Sequence, residues 1–231
     1  MKPTTVIVRM MATMAMAMTA GDLQAKMVAE HQPITFAAME GHFETEEGAG
    51  LVIVGQPNME TMTIDNPIVA PRMLSIMTHQ RWASRIEGLN EYPRAEWPDN
   101  VPLLYYAYHV MVGLGTMFMA LMVLAAFFLK RGTLRGKRLL LWALLIATPF
   151  PFIANTAGWM TSELGRQPWL IHGVMRTADG TSLQVSGGNT LFTLLGFMGL
   201  YALLSLVYIL ALVKIVQKGP ASGPASGSES H

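Results

Sequence analysis

Apolar residues in this chain are gathered into a few long, nearly uninterrupted runs. A bilayer core of about 30 Å is crossed by roughly 20 apolar residues in a helix rising about 1.5 Å per residue. Three runs meet that length. Residues 103–129 hold no charged side chain and one histidine, His109. Residues 139–160 hold no ionisable side chain but carry Pro149 and Pro151, which predict a kink, because proline removes a helix hydrogen bond and crowds the preceding turn. Residues 191–213 are again free of charge, with Gly196 and Gly199 open to close helix packing. A fourth run, residues 1–20, is shorter and interrupted by Arg9. It reads as a short or degenerate transmembrane helix or, alternatively, as a signal-like segment, since Lys2 and Arg9 precede an apolar stretch ending in Ala15-Met16-Ala17.

Between the runs the pattern turns polar. Residues 21–102 read as a solvated segment, and within it 73–89 has spacing suited to a surface helix. Pro93, Pro98 and Pro102 then punctuate the approach to the next apolar run. Residues 217–231 repeat Gly, Pro, Ala and Ser and read as a disordered tail.

Composition narrows the class. The chain is 52% hydrophobic and 13% charged, against about 25% charged in soluble domains, which excludes both an ordinary soluble globule and a disordered chain. Without cysteine, disulfides, thiolate metal sites and iron–sulfur clusters are excluded. The formal net charge of +1 offers no footing for nucleic acid. That small sum is a cancellation: twelve of the fifteen acids lie in 21–102, and five of the sixteen basic residues crowd into 130–138. Cytoplasmic loops of membrane proteins carry the excess of Lys and Arg. The expected fold is therefore an all-α integral membrane protein of about four transmembrane helices in contact with membrane lipid. Both termini are cytoplasmic, 21–102 forms a large external loop between the first and second helices, and 161–188 are also external.

Ionisable groups at such boundaries are functional candidates. Glu163 lies just past the second clean run; if the helix continues, Asn155, Trp159, Glu163 and Gln167 share one face, and Arg166 is placed to pair with Glu163 or with an anionic group. The plainer reading is an interfacial helix end with Trp159 and Trp169 as belt residues. Met111 and His109 are both potential haem ligands, but two residues apart on a helix they face opposite ways, so they do not serve the same iron. Glu40 sits against apolar neighbours, where a raised pKa would let it accept a proton, or is an ordinary loop acid beside Glu44, Glu46 and Glu47.

Three of these segments together resemble the larger subunit, subunit I, of cytochrome bd-type quinol oxidases. They are Gly165-Arg-Gln-Pro-Trp169 preceded by Ala157-Gly-Trp and Glu163, Gln32-Pro33 with Ala37-Ala-Met-Glu-Gly41, and Val110-Met-Val-Gly-Leu-Gly115. Their order and sidedness agree with the membrane map above. The resemblance covers the C-terminal part of that subunit, with 21–102 as its external quinol loop and 103–216 as a three-helix haem-binding region; its N-terminal helices are missing. It implies Met111 as an axial ligand of the low-spin haem b iron, and Glu163 at the high-spin haem iron, beside a high-spin haem b and a haem d or second high-spin haem b. Trp159, Arg166, Trp169 and His109 are implied as cofactor-binding surroundings, and Glu40 as an acid in quinol oxidation. A basic residue of the family's quinol loop is replaced by Thr35, and His109 stands where many members have arginine. The implied activity is transfer of electrons from quinol to O2, reduced to water, in a bacterial or archaeal cell membrane. Subunit II and a separate or missing N-terminal part of subunit I are the implied partners. The alternative is a haem-poor remnant acting as a membrane interaction module.

Overall fold

The computed structural model describes residues 3–182 and 184–219 of the chain. Two units make it up, one ending at Gly180 and one beginning at Thr181. The first opens with α1 (Pro3–His31), a continuous helix that does not stop near residue 20 as the sequence suggested. One helical glycine costs about 1 kcal/mol, and the Met-, Ala- and Gln-rich residues flanking Gly21 are good helix formers. A Lys26–Asp22 ion pair of 2.5 Å bridges the turn just after it. Pro33 ends α1, because the residue before proline disfavours helical backbone. The same proline starts α2 (Pro33–Glu40), which Gly41 closes in the left-handed region at φ 68°. A side chain at Gly41 would also strike Ile64 and Tyr105, at 2.7 and 2.8 Å.

Next come β1 (Glu46–Glu47), β2 (Leu51–Asn58), β3 (Thr63–Ala70), α3 (Met73–His79) and β4 (Arg85–Ile86). β2 and β3 form an antiparallel hairpin with Leu51 opposite Ala70 and Pro57 opposite Ile64, while β1 pairs with β4. Asn58 shapes the hairpin turn: its side-chain oxygen accepts from the Glu60 and Thr61 N–H groups at 3.0 and 3.3 Å. The surface helix expected over 73–89 is only α3. Gln80, in the left-handed region at φ 55°, stops it, and the chain turns into β4.

The segment expected to be solvated in fact holds the main core of the described residues. Phe36, Ala37 and Ala38 of α2 pack with Phe43, Leu74, Ile86, Leu89 and Trp97 against Val101 and Leu104. Those last two open α4 (Val101–Lys130), whose first turn is capped by the Asn100 side chain accepting from the Leu103 N–H at 3.0 Å. Beyond its first two turns α4 turns large apolar side chains outward.

α5 (Arg138–Ala147) and α6 (Phe150–Arg166) meet at a 43° bend, where the prolines predicted a kink. α6 reaches Arg166, so Asn155, Trp159 and Glu163 are helical, whereas Gln167 leaves the helix in an extended conformation. A short hairpin, β5 (Trp169–Ile171) with β6 (Met175–Arg176), follows. The second unit is α7 (Gly187–Lys218), started by Ser186 Oγ accepting from the Asn189 N–H and burying none of its residues. Gln217 and Lys218, placed in the tail by sequence, belong to α7; 220–231 lie outside the described residues.

The architecture is mostly helical, with three two-stranded ladders where none was expected. Among the described residues α4 and α7 are long and apolar enough to cross a bilayer, and the bent α5–α6 pair makes a third if it counts as one span. α1 does not qualify; Asp22, Lys26 and Glu30 populate its second half. Large apolar residues face outward along these helices, Phe192 at 80% and Phe152 at 75% exposure. That polarity suits lipid, where the backbone is satisfied within each helix.

The core leaves no space at Gly88, where an added Cβ would lie 2.4 Å from the Phe43 carbonyl oxygen. Gly88→Ala should destabilise the chain by about 1–3 kcal/mol. Gly21→Ala, in open space within α1, should be neutral or stabilising by up to about 1 kcal/mol. Thermal unfolding in detergent, followed by tryptophan fluorescence, checks the contrast.

Candidate functional site

Glu40 is the last residue of α2, and the fold carries it into the interface with α4 rather than onto a loop surface. It is 3% exposed. Its Oε1 accepts a hydrogen bond from the Tyr108 hydroxyl at 2.6 Å, while Oε2 is buried with no partner. Loss of water pushes the carboxyl up to about 7, and the Tyr108 bond, which favours the charged form, only partly opposes this. Beside it Tyr105, buried under the hairpin, also leaves its hydroxyl without a partner. On the chain after Gly41, burial lowers the His42 pKa against the opposing pull of Glu46.

Tyr105 and Tyr108 were not singled out from sequence. The available signal was three tyrosines, Tyr105, Tyr106 and Tyr108, at the start of an otherwise apolar helix, because a buried phenol needs a partner for its hydroxyl.

His109 lies one residue past Tyr108 on a different face. Its ring rests on Tyr105 with centroids 3.9 Å apart, Nδ1 lies 2.9 Å from the Tyr105 carbonyl oxygen, and Nε2 lies 3.0 Å from that of Val52 on β2. Both ring nitrogens therefore contact backbone carbonyls, and the ring straps the hairpin to α4.

Met111 turns toward α6. Its sulfur lies 2.9 Å from where a Cβ on Gly158 would be, so that glycine makes the room the thioether occupies. The same pair of helices encloses an apolar groove of about 450 Å³ between Leu103, Tyr106 and Val110 on α4 and Phe152, Thr156 and Met160 on α6. Trp159 points away from the packed side, 64% exposed.

Glu163 and Arg166, three residues apart at the end of α6, form a half-exposed ion pair of 3.6 Å. Such pairs contribute about 0–1 kcal/mol. Two anchors fix the turn that follows. The Thr35 hydroxyl donates to the Gly165 carbonyl at 2.8 Å, joining the first turn of α2 to α6. The Arg176 guanidinium stacks over the Trp169 ring at 5.3 Å. Trp169 Nε1 is buried without a partner, and it lines a polar cavity of about 180 Å³ with Gln32, Thr35, Glu96, Arg166 and His172.

These donors fit a haem. Met111 supplies a soft thioether beside an apolar groove, Glu163 a half-exposed carboxylate, and the unbonded Trp169 N–H and Arg166 supply donors for an acidic substituent. The structure bonds Glu40 to Tyr108, three residues before Met111 on α4, and brings Thr35 to the Gly165 turn. Glu163 and Trp159 lie on α6, where Glu163 pairs with Arg166.

Fold and site together define a mostly helical membrane protein in which the segment between α1 and α4 delivers a buried acid to the head of an apolar helix. The family model of cytochrome bd terminal oxidase subunit I matches residues 2–220. The chain is 29% identical over 209 residues to cytochrome bd ubiquinol oxidase subunit 1 of Bacillus subtilis, covering 86% of this chain and 44% of that one. To cytochrome bd-II ubiquinol oxidase subunit 1 of Escherichia coli it is 26% identical, covering 89% and 52%. The solved structure of bd oxidase from Geobacillus thermodenitrificans is similar with a TM-score of 0.71 and 32% identity, over 90% of this chain and 47% of that one. The chain belongs to the cytochrome bd terminal oxidase subunit I family, and spans about half the length of the relatives it matches.

The raised Glu40 pKa has a stability consequence. The native state binds a proton more tightly than the unfolded chain, so stability is greatest below the ordinary value of 4.5. It falls as pH rises to about 7, by about 3 kcal/mol in all. Glu40→Gln, which cannot ionise, should remove this slope and be the more stable form at alkaline pH. Thermal unfolding of both proteins across pH measures it.

Proposed function

We propose that this chain serves as the C-terminal part of subunit I of a cytochrome bd-type terminal oxidase, which oxidises quinol and reduces O2 to water. The buried Glu40 carboxyl, bonded to the helix that bears Met111, is the observation that carries this reading. Quinol oxidation releases protons as well as electrons. An acid titrating near neutral pH is suited to take such a proton, because it accepts readily and gives up readily.

Met111 would hold the iron of a low-spin haem b. Glu163 would serve a high-spin haem b, next to a haem d or second high-spin haem b. Bound haems supply the electron transfer and the oxygen chemistry. The chain's own residues do the rest. Glu40 takes the quinol proton on the external side. The groove between α4 and α6 offers an apolar lining, and Gly158 leaves the Met111 sulfur its place. Arg166 and the Trp169 N–H offer hydrogen bonds to acidic substituents, with Trp159 nearby on α6. Thr35, where a basic residue stands in the family's quinol loop, holds the Gly165 turn instead of reaching toward the quinol.

In this reading the other half of subunit I and subunit II complete the complex in a bacterial or archaeal cell membrane. Residues 21–102 and 161–188 are external and both termini are cytoplasmic. Protons released outside and consumed from the cytoplasm would contribute to a gradient.

The test is spectroscopic. The chain, expressed with the rest of subunit I and with subunit II, should give reduced-minus-oxidised haem bands. Met111→Leu should abolish the low-spin haem b band while the subunits still co-purify. An unchanged spectrum would remove Met111 from the ligand set, and absence of haem from the wild-type complex would sink the oxidase reading.

A further inference from the structure

A buried acid exchanges protons only through the groups it is bonded to. At 3% exposure the Glu40 carboxyl is out of reach of a molecule docked on the surface, and its one hydrogen bond is to Tyr108. Tyr108 is less deeply buried than Glu40. A phenol hydroxyl both donates and accepts, so it is suited to pass a proton on.

We propose that Tyr108 is the proton relay between a docked quinol and Glu40. The inference rests on the reading of Glu40 as the acceptor of the quinol proton. In the relay a quinol O–H bond breaks as its hydrogen moves to Tyr108 Oη. The tyrosine's own O–H bond breaks in concert, and its hydrogen forms a new bond to Glu40 Oε1. Tyrosine is regenerated, the carboxylate becomes a carboxylic acid, and the quinol is left as its anion; no electron moves in this step.

The other hydroxyl facing Glu40 is that of Tyr105, also on α4, which makes no hydrogen bond. Charged and titratable groups nearby are His42 just past α2, Glu30 and His31 on α1, Glu163 and Arg166 on α6, His109 on α4 and Glu91 in the turn before it. None of them governs the Glu40 titration, which burial raises and the Tyr108 bond lowers.

Removing the hydroxyl therefore has two separable effects. Tyr108→Phe should move the Glu40 titration to higher pH, and it should also break the path. Oxygen consumption by the assembled complex, driven by a short-chain quinol, is measured from acid to alkaline pH. On the alkaline plateau Glu40 is ionised in both proteins, so a relay predicts a kcat there still lowered about a hundredfold, with KM changed less than about twofold. A plateau rate restored to wild type would mean that Tyr108 only tunes the charge of Glu40, and would overturn the relay.

Glu40→Gln, run in parallel, separates the two levels. Full activity in Glu40→Gln overturns the reading beneath. Lost activity there with a wild-type plateau in Tyr108→Phe overturns the relay alone. Because the phenylalanine variant risks misassembly, a fluorinated tyrosine at the same position keeps the shape and changes only the acidity of the hydroxyl. A relay predicts a changed plateau rate and a changed solvent isotope effect, and no change in either overturns it.

Discussion

The hydrogen bond from Tyr108 to Glu40 joins the two environments this chain occupies. One partner belongs to a compact segment with its own core and the other to a helix whose remaining length is apolar. Taking a carboxyl out of water without a donor is costly, and the phenol supplies that donor where Phe36, Ala37 and Ala38 share a buried core with Val101 and Leu104. The neighbouring residues fit around it. Gly41 has to turn the chain away in the left-handed region, Tyr105 fills the space beneath the hairpin, and the His109 ring holds β2 against the same helix.

The chain is built inside out relative to itself. The segment between α1 and α4 has a core like that of a soluble domain, closed around Phe36, Leu89, Trp97 and Leu104, and the hydrophobic effect drives its assembly. Along the long helices much of the apolar surface faces outward. Among them α6 meets α4 through small residues, as lipid-embedded helices do when their backbones approach closely. The Met111 sulfur against Gly158 is the clearest instance.

Much of this was legible in the sequence, and for identifiable reasons. Length and the absence of charge marked α4 and α7, because the bilayer sets a minimum apolar run. Pro149 and Pro151 announced the bend between α5 and α6. The core of the segment that folds into α2, the hairpin and α3 was not foreseen because it is assembled from residues far apart in sequence, such as Phe36, Leu74 and Trp97, which leave no period to detect. The end of α1 was misplaced because the apolar run stops at residue 20, whereas the helix continues through Gly21 into the polar residues that follow, most of them good helix formers. At the site, Glu40 was noticed but its burial could not be read, since that depends on where α4 brings Tyr105 and Tyr108. Thr35 looked like the loss of a charge. Only the fold reveals what the shorter side chain gained, a contact with the Gly165 carbonyl.

That contact also constrains how this protein is able to evolve. A Cβ on Gly165 would lie 2.7 Å from the Thr35 methyl group. While threonine stands at position 35, the turn after α6 therefore has no room for a residue larger than glycine at position 165, and a change there would have to be preceded by one at position 35.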